Sequence, residues 1–170
     1  DYTRGVNRNY KGNTIQFSIS KEETKALYSF NQQINSTLFT NLLGVLNILL
    51  AKLSGQEDVT IGTVTSGRTD KDFENIVGFF LNTLALRNYP KEKTEVISFF
   101  NQVKENTLKA FDHQEYQYED LVNALQLERN TNHNPLFNVV FILQNMDETV
   151  FEIPEVQMKM MDFGYDVAKM

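Results

Sequence analysis

The two histidines of this 170-residue chain are its best-suited groups for acid–base chemistry, and they lie in different polar segments. His113 is followed by Glu115 and Glu119, and an ionised carboxylate nearby would orient and charge the imidazole for proton transfer. The alternative, which its expected position at a helix end favours, is a histidine that makes structural hydrogen bonds. His133 stands in a polar, turn-forming loop just before Pro135, and nothing there marks it as a base.

A second candidate for chemistry is the glycine-containing stretch from Gly62 to Thr69, which follows a β-branched run. It approximates a phosphate-binding loop, but Arg68 stands where such loops carry the lysine that grips phosphates. The β-branched residues between Gly62 and Gly67 also resist the turns that aim successive amides at one anion. A nucleotide site is therefore not expected.

The composition argues against several other kinds of site. The chain has no cysteine, which excludes disulfides, thiolate catalysis and cysteine-ligated zinc. Two separated histidines without a spaced ligand motif predict no metal site. Ser66 lacks the Gly-x-Ser-x-Gly context of a serine hydrolase. A formal charge of −6, with 16 dispersed Lys and Arg residues, argues against nucleic-acid binding.

The location expected from the sequence is the cytoplasm. The longest apolar run, residues 42–51, is far shorter than the roughly 20 residues needed to span a bilayer. The first residues have no signal-peptide core, and the chain starts without methionine. We therefore expect a folded, non-membrane domain that is a fragment of a longer protein.

The elements that must position these residues alternate between strands and helices. The patterns predict strands at 10–20, 59–64, 83–87, 136–143 and 156–163, and helices from Ser20 to Gln33, Ser36 to Ser54, 95–112 and 118–127. The apolar 136–143 strand is expected mid-sheet and covered on both faces. This order predicts one domain of the α/β (α+β) sandwich class, with a mixed β-sheet and packed helices.

Several motifs resemble those of nonribosomal peptide synthetase condensation domains, in the same order and spacing. Residues 76–87 resemble the family's I-G-x-F-V-N-T-x-x-x-R, 113–122 its H-Q-D-Y-P-F-E-x-L-V, 128–137 its R-D-x-S-x-N-P-L-F, 55–62 its G-Q-x-D-x-x-x-G, and 66–68 its S-G-R. The departures are Leu81, Glu115, Gln117, Tyr118, Asn130 and Asn132. The resemblance covers nearly the whole chain.

The resemblance implies one lobe of a two-lobed, chloramphenicol acetyltransferase-like domain with a substrate tunnel between the lobes. Residues 1–170 are then the C-terminal lobe, and the catalytic His-His-x-x-x-Asp-Gly motif belongs to the N-terminal lobe. The intact domain makes an amide bond between acyl and aminoacyl thioesters on the phosphopantetheine arms of upstream and downstream carrier proteins, next to an adenylation domain. This chain alone is expected to be inactive and to bind no cofactor directly.

The resemblance also assigns roles to individual residues. The substrate-tunnel candidates are Gly78, Phe80, Asn82 and Thr83, and the structural or docking candidates are Arg68, Arg87, His113, Glu119 and Arg129. The Asn82 amide is placed to hydrogen-bond a substrate carbonyl or a developing oxyanion, or alternatively to tie two backbone segments together. Arg68 and Arg87 are each expected to pair with a carboxylate that fixes the lobe.

Two other functions stay open at this point. One is a non-catalytic module that binds carrier proteins. The other is half of an epimerization domain, which would remove a Cα proton instead of joining acyl groups. The stretch from Asn82 to Arg87 is more similar to the condensing group.

Overall fold

The structure is a computed structural model that describes residues 11–73, 76–127 and 134–144. Within these ranges the elements follow the order α1 (Lys21–Gln33), α2 (Leu38–Ser54), β1 (Val59–Thr65), β2 (Asn82–Asn88), α3 (Val96–Asp112) and α4 (Tyr118–Ala124). A single 3-10 turn, Lys71–Phe73, lies in the connection between the two strands.

The first two helices begin at side-chain caps. At α1 the predicted capping box is present, since Ser20 N donates to Glu23 Oε2 at 2.9 Å and Glu23 N donates to Ser20 Oγ at 3.2 Å. At α2 the cap is Thr37 and not the predicted Ser36, because Thr37 Oγ1 accepts from Thr40 N at 3.2 Å. The second helix therefore begins one residue later than the earliest polar residue suggests.

The two strands pair antiparallel, with the register running from Val59 opposite Asn88 to Thr65 opposite Asn82. One face of this hairpin packs on α2 and α3. The buried apolar cluster there consists of Ile34, Leu43, Val59, Ile61, Leu84, Leu86, Phe99, Phe100 and Val103. Each fully buried side chain of this size contributes roughly 1.5–3 kcal/mol, so this interface dominates the stability of the described fold.

The segment predicted as a strand at 136–143 forms only one parallel bridge to β1. Gly62 N donates to Val139 O, and Phe141 N donates to Gly62 O, both at 2.9 Å. The sheet is therefore mixed, as predicted. Among the described residues, however, the segment lies at the edge beside β1 rather than mid-sheet, and Ile142 is 56% exposed. The apolar run did not specify which neighbours would cover it.

Residues 12–20 form no strand, although the sequence pattern predicts a strand at 10–20. Ile15 and Phe17 are 85% and 84% exposed. Their alternation is genuine, but no strand among the described residues lies alongside to satisfy the backbone groups. The helix predicted at 118–127 ends earlier, at Ala124. The strand predicted at 156–163 lies outside the described residues.

No single helix in the described ranges is long and apolar enough to cross a membrane. The helices α1 and α2 reach the required length and composition only as a pair, and they are bent by 105° relative to each other. In the structure α2 instead buries Leu43 and Asn47 completely.

Candidate functional site

Segments that are distant in the sequence meet at the end of the hairpin where β1 stops and β2 starts. Thr65 and Asn82 lie opposite each other there, as the last pair of the register. The segments that make hydrogen bonds around this pair are residues 65–69, 82–83, 113–118 and 134. All four carry motif residues identified in the sequence, so the motifs mark one place in the fold.

The side chain of Asn82 is 5% exposed and holds this place together. Its Nδ2 donates to the carbonyl oxygens of Gln114 at 2.7 Å and Tyr116 at 2.8 Å. Its Oδ1 accepts from the backbone N–H of Thr83 at 2.8 Å and of Tyr118 at 3.3 Å. A side-chain amide has two donor hydrogens and two acceptor lone pairs, so all of its capacity is used. We call Asn82 and these four partners the Asn82 clasp.

Two threonines add further hydrogen bonds from the β1 side. The Thr65 hydroxyl donates to Gln114 Oε1, and the Thr69 hydroxyl donates to Glu115 Oε1 at 3.2 Å. Both acceptors belong to the link between α3 and α4. Each strand of the hairpin is therefore attached to that link.

Tyr118, at the start of α4, attaches the same link to residues 134–137. Its hydroxyl donates to Asn134 Oδ1 at 2.6 Å, and its ring lies 5.6 Å from the ring of Phe137. Burial raises the pKa of the Tyr118 hydroxyl above its ordinary value. The group is therefore a neutral donor at physiological pH. Glu115 and Tyr118 are both departures from the family motif, and both make a hydrogen bond here.

Phe80 is half-buried and packs under Arg68. The Arg68 guanidinium lies 4.4 Å from the centre of the Phe80 ring, and its Nη1 donates to the carbonyl of Phe73, whose ring stacks on Phe80 at 5.7 Å. Gly67 has a φ of 63°, and a Cβ there would overlap the Phe80 carbonyl oxygen. Among the described residues Arg68 makes no ion pair, so its pairing with a carboxylate stays a prediction.

Gly78 and Thr83 complete the set of tunnel candidates. Gly78 is exposed, and a Cβ at this position would come within 3.1 Å of Phe80 Cε2, so a side chain here would crowd that ring. Thr83 is half-buried and lies on the strand face opposite to Asn82. The four candidates are therefore neighbours along the chain, but they do not share one surface.

Arg87 lies at the other end of the hairpin and does pair with a carboxylate. Its Nε and Nη2 donate to Asp58 Oδ1 and Oδ2 at 2.8 and 2.5 Å. This bidentate hydrogen bonding holds the pKa of Asp58 below its ordinary value. Both side chains are exposed, at 60% and 48%. The pair braces the open end of the hairpin, away from the Asn82 clasp.

The histidine and acidic candidates are not brought together. His113 ends α3 and is exposed, and within the described ranges its imidazole makes no hydrogen bond or ion pair. The carboxylate of Glu115 is bound to Thr69, and Glu119 is exposed in the first turn of α4. The acid–base pair considered from the sequence is therefore not assembled in the described structure. Arg129 and His133 lie outside the described residues.

Two further features of the described structure concern metal binding and a groove. In the described part of the chain, no group of three or more His, Asp or Glu residues is arranged to hold a metal ion. A groove of about 980 Å³ lies beside α4, and Asp58, Arg87, Leu125 and Phe137 are among its lining residues. This groove is at the end of the hairpin opposite to Asn82.

Sequence reasoning missed Thr65 and the importance of the Tyr116 carbonyl. The motif that contains Gln114 was recognised, but a backbone carbonyl acceptor leaves no trace in residue identity. The sequence shows an asparagine at the start of a predicted strand and a His-Gln motif about 32 residues later, but it does not show the hydrogen bond between them.

Comparison with known proteins places these motifs in context. A family model described as "Condensation domain" matches residues 1–170. Tyrocidine synthase 3 of Brevibacillus parabrevis is 43% identical over 159 residues, which cover 94% of this chain and 2% of the synthase. The chain thus spans a small part of this curated relative.

Solved structures give the same result for the fold. A four-domain nonribosomal peptide synthetase, bound to AMP and glycine, matches 87% of this chain and 11% of its own, with a TM-score of 0.82 and 26% identity. The condensation domain of a monacolin K polyketide synthase matches 72% of this chain and 29% of its own, with a TM-score of 0.63 and 24% identity. The predicted fold class, a mixed sheet with packed helices in a chloramphenicol acetyltransferase-like lobe, is confirmed.

Proposed function

Because this chain belongs to the condensation-domain family, we propose that it is one lobe of a domain that joins two carrier-bound substrates through an amide bond. In this reaction the amine of an aminoacyl thioester attacks the carbonyl of an acyl thioester. The new C–N bond replaces the C–S bond, the amine loses a proton, and the donor carrier is left with a free thiol. The observation that carries the proposal is the convergence of the family motifs around the Asn82 clasp.

The proposed division of labour gives acid–base chemistry to the other lobe. The exposed His113 has no carboxylate partner among the described residues, so it lacks the group that would orient a general base. The matched part of the solved condensation domain is 29% of that chain, which supports a complete domain larger than the present one. In our proposal residues 1–170 are the C-terminal lobe and contribute tunnel wall and docking surface.

The proposed partners follow from the proposed role as one lobe of a condensation domain. One solved relative is a four-domain nonribosomal peptide synthetase, and this chain covers only 2% of tyrocidine synthase 3. We place an upstream and a downstream carrier protein, each with a phosphopantetheine arm, at the two entrances of the tunnel, and an adenylation domain next in the chain. The phosphopantetheine arm is covalently attached to the carrier, so this lobe needs to bind it only transiently.

The test uses the parent protein with both lobes and two carriers, one loaded with an acyl group and one with an aminoacyl group. We expect mass spectrometry to detect the amide on the downstream carrier, and the chain of residues 1–170 alone to form none. If the parent forms no amide while a known condensation domain does so in parallel, the proposal is wrong.

Running the same assay in D₂O separates the alternatives. Deuterium at the Cα of the carrier-bound residue, without amide formation, would identify an epimerization domain. Carrier binding with neither product would identify a non-catalytic module.

A further inference from the structure

We propose that Thr83, rather than Asn82, presents the hydrogen-bonding side chain to the substrate, and that Asn82 is a positioning residue that holds Thr83 in place. This inference rests on the proposed function. The ligand group that Thr83 would contact is a carbonyl oxygen of the carrier-bound acyl or aminoacyl thioester.

The first step is that Asn82 has no donor to spare. Both of its amide hydrogens are bound to the carbonyls of Gln114 and Tyr116, at 2.7 and 2.8 Å. Donation to a substrate would leave one of these carbonyls without its partner in a part-buried place. Binding of a substrate by Asn82 would therefore have to break the clasp each time.

The second step is the direction of the neighbouring side chain. Along β2 the residues at 82, 84, 86 and 88 are buried, whereas Thr83 and Ala85 are half-buried and Arg87 is exposed. Successive side chains of a strand point to opposite faces, so Thr83 points away from the face on which Asn82 is buried. Its cross-strand partner, Val64, is 39% exposed. In the described part of the chain, this corner of the second face is therefore only partly covered.

The third step is the chemistry of the Thr83 hydroxyl. Within the described ranges it makes no hydrogen bond, although the residue is half-buried. A hydroxyl both donates and accepts, so it suits a carbonyl oxygen and also an amine on the incoming substrate. Of the four tunnel candidates, Gly78 and Phe80 have no side-chain polar group, and Asn82 is fully occupied. Among these four, Thr83 is therefore the residue whose side chain keeps hydrogen-bonding capacity in the described structure.

The fourth step connects the two residues. The backbone N–H of Thr83 donates to Asn82 Oδ1 at 2.8 Å, and the same oxygen accepts from Tyr118 N. Asn82 therefore fixes the main chain of Thr83 relative to the link between α3 and α4. Loss of Asn82 would displace the Thr83 hydroxyl without removing it.

The experiment compares Thr83→Val, Thr83→Ser and Asn82→Ala in the complete parent domain, with Thr60→Val as the matched control. Thr60 is also half-buried and lies on the same face, opposite Arg87 at the far end of the hairpin. We expect Thr83→Val to keep the wild-type unfolding midpoint and to lower kcat/KM for amide formation by about 2- to 10-fold, the range for one neutral hydrogen bond. Thr83→Ser should restore most of the activity, and Thr60→Val should behave as wild type.

A double variant tests the positioning role. If Asn82 acts through Thr83, the double variant with Asn82→Ala and Thr83→Val should lose no more activity than Asn82→Ala alone. Should Asn82→Ala fail to fold, the Thr83 variants still decide whether the Thr83 hydroxyl contacts the substrate.

The outcomes separate this inference from the proposed function. A wild-type parent that forms no amide overturns both. An active parent in which Thr83→Val keeps full kcat/KM overturns only the present inference. The same follows if Thr83→Val lowers the unfolding midpoint as much as Asn82→Ala does, because the hydroxyl is then structural.

Discussion

Asn82 Nδ2 and the carbonyl oxygen of Tyr116 are joined by a hydrogen bond of 2.8 Å across 34 residues of sequence. The bond connects the first residue of β2 to the link between α3 and α4. Because the same amide also binds the Gln114 carbonyl, two points of that link are held by a single side chain. This arrangement gives a physical reason for the joint presence of the Asn-Thr and His-Gln motifs in one chain.

Replacing Asn82 with alanine is predicted to lower the free energy of unfolding by about 2–4 kcal/mol, since it leaves two carbonyls and two N–H groups without their partner. Urea unfolding followed by circular dichroism measures the change. The control is Asn101→Ala, on the half-buried side of α3, which we expect to change the value by less than about 0.5 kcal/mol. A loss at Asn82 no larger than at Asn101 would show that the clasp carries no stability.

The local features of the fold were predictable from the sequence, because their partners lie within a few residues. The Ser20–Glu23 capping box and the strand at Val59 are examples, and the motifs led to Asn82 itself. The partners of Asn82 were not predictable, because they are backbone groups. A carbonyl has the same chemistry in every residue, so only the fold selects which ones meet the amide.

The expectations for residues 12–20 and for Arg68 differ from the described structure for a related reason. Residues 12–20 alternate like a strand, but alternation specifies a face and not the neighbouring strand that must pair with it. For Arg68 a carboxylate partner is expected because arginine commonly binds one, but its contacts among the described residues are the Phe73 carbonyl and the Phe80 ring. In both cases the residue type was informative, and the missing information was which residues lie nearby in space.

Gly67→Ala is predicted to destabilise the lobe more than Gly55→Ala. Both glycines have a positive φ, 63° and 70°, so alanine is strained at either position. Only at Gly67 would the added Cβ overlap another group, the Phe80 carbonyl oxygen, whereas nothing lies within 4 Å at Gly55. We expect about 1 kcal/mol at Gly55 and at least twice that at Gly67 by urea unfolding. Equal losses would mean that the contact of Gly67 with Phe80 relaxes freely.

Tyr118→Phe restores the residue of the family motif and removes the hydrogen bond to Asn134. The expected loss at pH 8 is about 1 kcal/mol of unfolding free energy. Burial raises the pKa of Tyr118, so the unfolded chain loses this proton first as the pH rises through about 10, the ordinary value for tyrosine. The stabilisation that the protonated Tyr118 hydroxyl gives the wild-type protein therefore falls above pH 10. The variant lacks this hydroxyl and its stabilisation.

The measurement for Tyr118 is the unfolding free energy of both proteins at pH 8 and pH 11, with Tyr28→Phe as the exposed control. The difference between wild type and Tyr118→Phe should narrow at the higher pH. A constant difference would show that the Tyr118 hydroxyl does not titrate differently in the folded chain.

Arg87→Gln is predicted to have a small effect that depends on pH. The ion pair with Asp58 is exposed on both sides, so its contribution at neutral pH is small, and salt should screen it. The hydrogen bonds from Arg87 lower the pKa of Asp58, so the folded state holds the charged form more strongly than the unfolded state does. The contribution is therefore present above the unfolded value of about 3.9 and is lost as the pH falls through the lower folded value. The difference in unfolding free energy between wild type and variant should be smaller at pH 2 than at pH 7. A difference that does not shrink at pH 2 would assign the effect of Arg87 to its packing on Tyr89, 5.4 Å away.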